Sequence, residues 1–361
     1  MSNTLWQTVS GIAELIASER IAPGEVLPGE KELEELFHVR RHYVYYALKI
    51  LGEYGILERR QRSGSRVLRP VWPFERTKFR NRSSRRVCLL NHLSLDRYDF
   101  AHLHYNPRFT GTLERKLAES GKTLECYDVG GIRDPEHYRE RVRQICEGGV
   151  LALVLVSGGN DFELFARLLF PEHDNVFVFN RGRIFPEFPD FNQVGINNFA
   201  AGVTAAETAI ASGCTRLLFC TLAANKNSEW LSARRQGASS GAWRLRPDHA
   251  FLDNYILGVH GDFPLKKSAP ETGLIAVNDL VASFFIESGR RRGLEPGRDY
   301  KIIGFDDDSR FRERGITTLS PNLECVAATL ADGIAATTAF DFCGQRFTVL
   351  VPPRLVRRRT M

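Results

Sequence analysis

From Val87 onward the chain alternates apolar, strand-sized runs with amphipathic stretches, and this alternation limits the possible folds more than any other feature. The runs are VCLLNHL at 87–93, LECYDVG at 124–130, LALVLVSG at 151–158, NVFVFNR at 175–181, TRLLFCTL at 215–222, TGLIAVND at 272–279 and YKIIGFDD at 300–307. Between them the spacing predicts helices near 107–120, 135–148, 162–170, 199–212, 230–240, 279–292 and 324–342. Strands this continuously apolar belong to parallel sheets covered on both faces by helices. About 275 residues exceed one comfortable sheet domain, so 87–361 is predicted to form a two-lobed α/β body with parallel sheets.

Residues 1–68 follow a different grammar. Leu5, Val9, Ile12 and Ile16 recur at helical spacing. The Pro23-Gly24 and Pro28-Gly29 breakers follow, then a short helix from Lys31 burying Leu33, Leu36 and Phe37. A third helix from Arg41 to Tyr54 places Val44, Ala47, Leu48 and Leu51 on one face, and Gly55 ends it. Ile56–Arg60 and Ser65–Leu68 read as a hairpin carrying Arg59, Arg60, Arg62 and Arg66. Three helices and a basic hairpin make an α+β winged helix-turn-helix. Residues 69–86, with seven basic side chains and one acid, read as a basic linker, either a solvated tether or a further phosphate contact.

Charge divides along the same line. Residues 1–86 hold sixteen Lys/Arg against ten Glu and no Asp, which accounts for the whole net charge of +6. A polyanion partner is therefore expected for the head and none for the body. The longest apolar runs fall far short of the roughly 20 residues that cross a bilayer. The N-terminus lacks a secretion signal's basic start and apolar core, so a cytoplasmic, nucleoid-associated protein is expected. The seven cysteines form no CxxC pair and are expected as buried free thiols. No glycine-rich phosphate loop follows the first strand, and no GKS/T, HExxH or GxSxG motif occurs. Neither an enzyme, nor a cofactor, nor a metal is expected.

The head resembles the GntR family of winged-helix regulators. The resemblance runs from Trp6 to Leu68 through LPGEKEL at 27–33, VRRHYVYYALKILGEYGIL at 39–57 and GSRV at 64–67. It implies double-stranded operator DNA as partner. The N-terminal side chains of the second helix of the motif face base edges, which singles out Arg40, Arg41, His42, Tyr43 and Tyr45. Lys31 stands where the family usually has a phosphate-binding Arg, and Arg62 and Arg66 suit phosphate or the minor groove. Arg40 stands where the family usually has a small hydroxyl, and Tyr45 where it usually has an Arg.

The body resembles the effector domain of the LacI family, which shares the fold of periplasmic sugar-binding proteins. The matching stretches are QVGINNFAAGVTAAETAIASGCTRLLF at 193–219, SARRQG at 232–237, LIAVNDLVA at 274–282, YKIIGFDDD at 300–308 and PPRLVRRRT at 352–360. The family usually has Asp-Asn at Asn197-Asn198. A GntR head on a LacI body is similar to the arrangement of arabinose-type repressors. The resemblance implies a homodimer and a small-molecule effector, a sugar, bound between the lobes by Asn180, Arg181, Arg234, Asn278 and Asp306. Trp230, with Phe185 second, is the aromatic candidate, and Asp279 is expected as a helix cap. Two alternatives stay open: a sensor whose head makes only protein contacts, and a DNA-binding regulator whose body has lost its ligand.

Overall fold

The computed structural model describes residues 3–18, 21–60, 64–92, 107–157, 173, 175–180, 184, 191–222, 228–245, 252–257, 259–336 and 346–361. Two compact units result, one running to Phe179 with later returns of the chain, the other built on Val194–Val326 with the C-terminal strands.

In the head, α1 (Asn3–Ser18) buries Leu5, Trp6, Val9, Ile12 and Ile16. The α2 helix (Glu30–Phe37) buries Leu33 but leaves Leu36 exposed, against expectation, because its eight residues place only one narrow stripe on the core. The α3 helix (Arg41–Glu53) buries Val44, Ala47, Leu48, Ile50 and Leu51. Gly55, at φ 68°, takes the left-handed position that ends it. Strands β1 (Leu57–Arg60) and β2 (Gly64–Val67) pair antiparallel as the wing, and Val26 bridges to Arg66 at its edge.

The segment read as a basic linker is largely a helix, α4 (Pro73–Ser83), packed on α1. Phe79 is fully buried in the head core, 6.5 Å from Trp6 and 5.1 Å from Tyr54 between ring centroids. The charges that suggested a tether serve the head itself. Arg69 grips buried Glu75 through two bonds of 2.8 and 2.9 Å and donates to the Tyr54 carbonyl. Burial alone would raise the Glu75 carboxyl, but the Arg69 fork and the Trp72 N–H hold it below its usual range. Arg76 pairs with Glu14, and Lys78 and Arg82 lie over Tyr54 and Trp6. At its far end the Asn81 side chain accepts from the buried Val150 N–H at 3.2 Å, and Ser84 donates to the Gly149 carbonyl. One Phe at a buried helical position outweighs a polar surrounding composition.

The body is two-lobed α/β. Its first sheet has β3 (Arg86–Asn91), β4 (Thr123–Asp128), β5 (Ala152–Ser157), β6 (Val176–Asn180), β7 (Asn192–Ile196) and β13 (Thr348–Val351), in the order β13-β7-β6-β5-β3-β4. Helices α5 (Pro107–Glu119) and α6 (Pro135–Cys146) cross between its strands. The second sheet orders β14-β12-β11-β10-β8-β9. Its strands are β8 (Arg216–Leu222), β9 (Leu252–Leu257), β10 (Thr272–Ala276), β11 (Lys301–Phe305), β12 (Thr317–Ser320) and β14 (Arg354–Val356). All its neighbours but β12 and β14 pair parallel. The crossovers are α7 (Asn198–Ala211), α8 (Glu229–Leu245) and α9 (Asp279–Arg290), with α10 (Leu323–Ala336) after β12. Strand β9 was not expected: it sits at a sheet edge, where LDNYIL need not be apolar on both faces. The helix expected at 162–170 lies outside the described residues. Cys88, Cys146, Cys214 and Cys220 are buried thiols, whereas Cys126 and Cys325 are exposed, contrary to expectation.

Candidate functional site

The first candidate surface is the exposed face of α3 with the wing. Arg40 precedes α3 in extended backbone and makes no side-chain cap bond, as expected of a cap position that has lost its hydroxyl. Arg40, Arg41, His42 and Tyr45 are exposed, as is Lys31 at the start of α2. Tyr43 is half-buried against the head core with His42 tilted against it at 4.0 Å, so only part of its ring faces outward. Arg66 on β2 is exposed and donates to the Gly24 carbonyl, which ties the wing to the turn before α2. Arg62 lies outside the described residues.

Two features of this face escaped sequence reasoning. Glu30 accepts from Arg41 Nε at 3.2 Å through one oxygen and from Arg59 at 2.7 Å through the other. The Arg59 guanidinium also lies 4.5 Å over the Tyr45 ring, and Tyr46 stands edge-on to Tyr45 at 5.4 Å. No spacing rule links position 59 to 45, because the wing strand folds back beside the helix.

The second candidate surface is the carboxyl end of the second sheet, where ligands of α/β folds collect. Arg234, on the second turn of α8, is 5% exposed. Its Nε donates to Asn198 Oδ1 at 2.9 Å and one terminal nitrogen donates to the Val277 carbonyl at 2.7 Å. The other terminal nitrogen lies 3.9 Å from Asp306 Oδ1. The guanidinium is 4.5 Å from the Phe305 ring and 4.9 Å from the Trp230 ring. Trp230 is therefore a face for Arg234 as well as an aromatic candidate for a ligand. Asn198, at the first position of α7, is buried and also donates to the Ile196 carbonyl. Asn198 thus holds Arg234 from 36 positions away, a pairing no local pattern in the sequence discloses.

Asn278 caps α9, accepting the Val281 N–H at 2.9 Å. Asp279 was expected to be that cap and is not: it lies one residue inside, 2% exposed, accepting the Asp308 N–H at 2.9 Å. Burial first, and the charge of Asp306 second, hold its carboxyl well above the ordinary value. A side chain at Gly304 would strike Asp279 Oδ1 at 2.1 Å, so glycine there makes the room. Asp306 and Asp307 both have positive φ, 105° and 51°, which costs of order 1–3 kcal/mol each and needs surrounding restraint. Asp307 pairs with Arg358 and its N–H donates to Thr318. Asn180 closes β6 of the first sheet and is buried. Arg181 and Phe185 lie outside the described residues. Asn197, where the family usually has Asp, caps α7 through the Ala200 N–H at 2.9 Å, a task its amide oxygen performs as a carboxylate would.

Residues 7–67 match the family of bacterial regulatory proteins, gntR family, and residues 206–361 match the periplasmic binding protein-like domain. This chain is a GntR-type head fused to a periplasmic-binding-protein-like body. Family and fold are those of transcription regulators and not of enzymes, so the chain is a DNA-binding regulator with a periplasmic-binding-protein-like body. A transcriptional regulator CelR–cellobiose complex is 15% identical, with a TM-score of 0.58 over 89% of this chain and 90% of that one. A periplasmic binding protein/LacI transcriptional regulator from Alkaliphilus metalliredigens QYMF, complexed with D-xylulofuranose, is 17% identical, with a TM-score of 0.51 over 77% and 99%. A LacI-family regulatory protein from Chloroflexus aggregans is 19% identical, with a TM-score of 0.57 over 76% and 98%. At these identities the likeness is one of fold. No curated protein sequence matches the chain. Among the described residues no helix of the regulator is long and apolar enough to cross a membrane.

Proposed function

We propose that this regulator is a sugar-responsive repressor acting as a homodimer, with two heads on one operator. The sugar is held at the carboxyl end of the second sheet, where Arg234, Asp306, Asn278 and Trp230 contribute. The observation that carries the reading is the setting of Arg234. A guanidinium this buried, stacked on two rings and bonded to Asn198 and Val277, is fixed in one orientation with its remaining edge toward Asp306. A fork of donors beside a carboxylate matches adjacent hydroxyls on a sugar ring. Solved relatives of this fold that carry cellobiose and D-xylulofuranose support the same ligand class. Ligand changes operator affinity because the two DNA-binding states take it up unequally.

The test is a panel of mono- and disaccharides read by melting temperature, with the parent chain beside R234A. A sugar that stabilises the parent and not R234A, and that releases duplexes recovered by the protein from genomic DNA, is the expected result. Equal shifts in both proteins would remove the pocket assignment. A second reading, a body that serves assembly alone, draws on Asn278 and two of the Arg234 nitrogens being spent on protein partners. A panel in which no sugar shifts the parent would favour it.

A further inference from the structure

Among the predicted DNA contacts, Tyr45 stands one turn beyond Arg41 on the same face of α3, where its own side chain offers no positive charge. The fold supplies one from elsewhere. Arg59, on the wing strand β1, places its guanidinium over the Tyr45 ring at 4.5 Å. Its terminal nitrogen is tied at 2.7 Å to Glu30, the same carboxylate that takes Arg41 at 3.2 Å. Three elements therefore converge: α2 through Glu30, α3 through Arg41 and Tyr45, and the wing through Arg59. Arg41 and Tyr45 are exposed, and the Arg59 side chain is 32% exposed. The ring face and the carboxylate leave Arg59 little freedom, and ordering a long side chain in advance lowers the entropy lost on binding.

We infer that Arg59 is a DNA-phosphate contact of this head, delivered from the wing onto the recognition helix by the Tyr45 ring and the Glu30 carboxylate. Phosphate is the partner because a guanidinium clamped on two sides at the base of the wing has little reach toward base edges. It needs only a backbone oxygen passing alongside α3. Arg41, first on the helix and 77% exposed although its Nε faces Glu30 at 3.2 Å and Glu34 at 4.0 Å, keeps the reach to read bases. The inference rests on the DNA-binding reading of the head.

The test uses the full chain and two duplexes, one recovered by the parent protein from a random pool and one of scrambled sequence. Affinity is measured across a range of salt for the parent, R59A, R59K, Y45L and the exchange variant R59A/Y45R. R59A is expected to bind both duplexes about tenfold more weakly, with a salt slope shallower by about 0.9, the counterion release of one phosphate. R59K keeps the slope. Y45L keeps the charge and so the slope, but binds more weakly because Arg59 loses its platform. The exchange variant recovers the slope by placing an arginine on the same helical face. An R59A slope equal to the parent's, at an unchanged melting temperature, overturns the inference. So does a loss confined to the recovered duplex, which would make Arg59 a base reader. Salt-independent binding by the parent itself would instead sink the DNA-binding reading.

Discussion

At the scale of single residues, the second sheet's carboxyl end joins a buried guanidinium and a buried carboxyl held above its ordinary range. Arg234 keeps its charge because Asn198, the Val277 carbonyl, two aromatic faces and the neighbouring Asp306 replace water. Asp279, buried with Asp306 nearby, holds its proton to higher pH than an ordinary aspartate. The folded chain thus holds a proton that the unfolded chain releases near the ordinary aspartate range, so this residue's effect is to lower stability as pH rises above that range. D279N removes the titration. Its melting temperature should gain on the parent's as pH rises above the ordinary aspartate range of about 4, and a gap that stays flat would rule out a raised, buried carboxyl. N198A should loosen Arg234 without removing it. The expected result is a lost sugar response, with N198D, which preserves the acceptor, restoring part of it, and with DNA affinity in the absence of sugar unchanged.

At the scale of elements, two contacts set the architecture. The α7–α8 crossing brings backbones together: a side chain on Gly237 would meet the Phe199 carbonyl at 2.0 Å, and one on Gly202 the Arg234 carbonyl at 1.9 Å. The two helices therefore lock Arg234 and Asn198 at hydrogen-bond distance. G237A should cost roughly 1–3 kcal/mol or more by forcing the helices apart, seen as a lower denaturation midpoint together with a weakened sugar response. The other contact is α4 on α1. Phe79 fills the gap between Trp6 and Tyr54. F79A should cost roughly 3–5 kcal/mol through the cavity left behind and should release α4 to protease. A variant as stable as the parent would return the segment to the status of a tether.

At the scale of the whole molecule, the same helix joins the head to the first lobe. Asn81 supplies the acceptor for a buried Val150 N–H, and Arg86, at the start of β3, donates to the Ile145, Glu147 and Gly149 carbonyls while gripping Glu125. The Arg86 fork, working against burial, lowers the Glu125 carboxyl to about 2. A head joined in this way unfolds together with the lobe that holds it. Calorimetry should give one transition for head and first lobe in the parent chain. The double variant N81A/S84A, which leaves the Val150 N–H buried without an acceptor, should split that transition, and an unsplit scan would mean that other contacts join them.

Much of this was written locally in the sequence. Apolar runs of strand length between helical stripes determined the two α/β lobes, and helical spacing, Gly55 and the basic hairpin determined the winged head, because burial pattern and turn chemistry act over a few neighbouring residues. That Arg234, Asn278 and Asp306 stand at strand ends or on the helix beside one was legible for the same reason. What the sequence left open depends on residues far apart in the chain. Arg59 meets Tyr45 only because the wing returns beside α3, Asn198 meets Arg234 only because two glycine-bearing helices cross closely, and Asp279 is a buried acid rather than a cap only because Gly304 makes room for it. Phe79 carried the plainest such decision: an aromatic between basic neighbours reads as part of a tether in one dimension, and becomes core once α1 offers it Trp6.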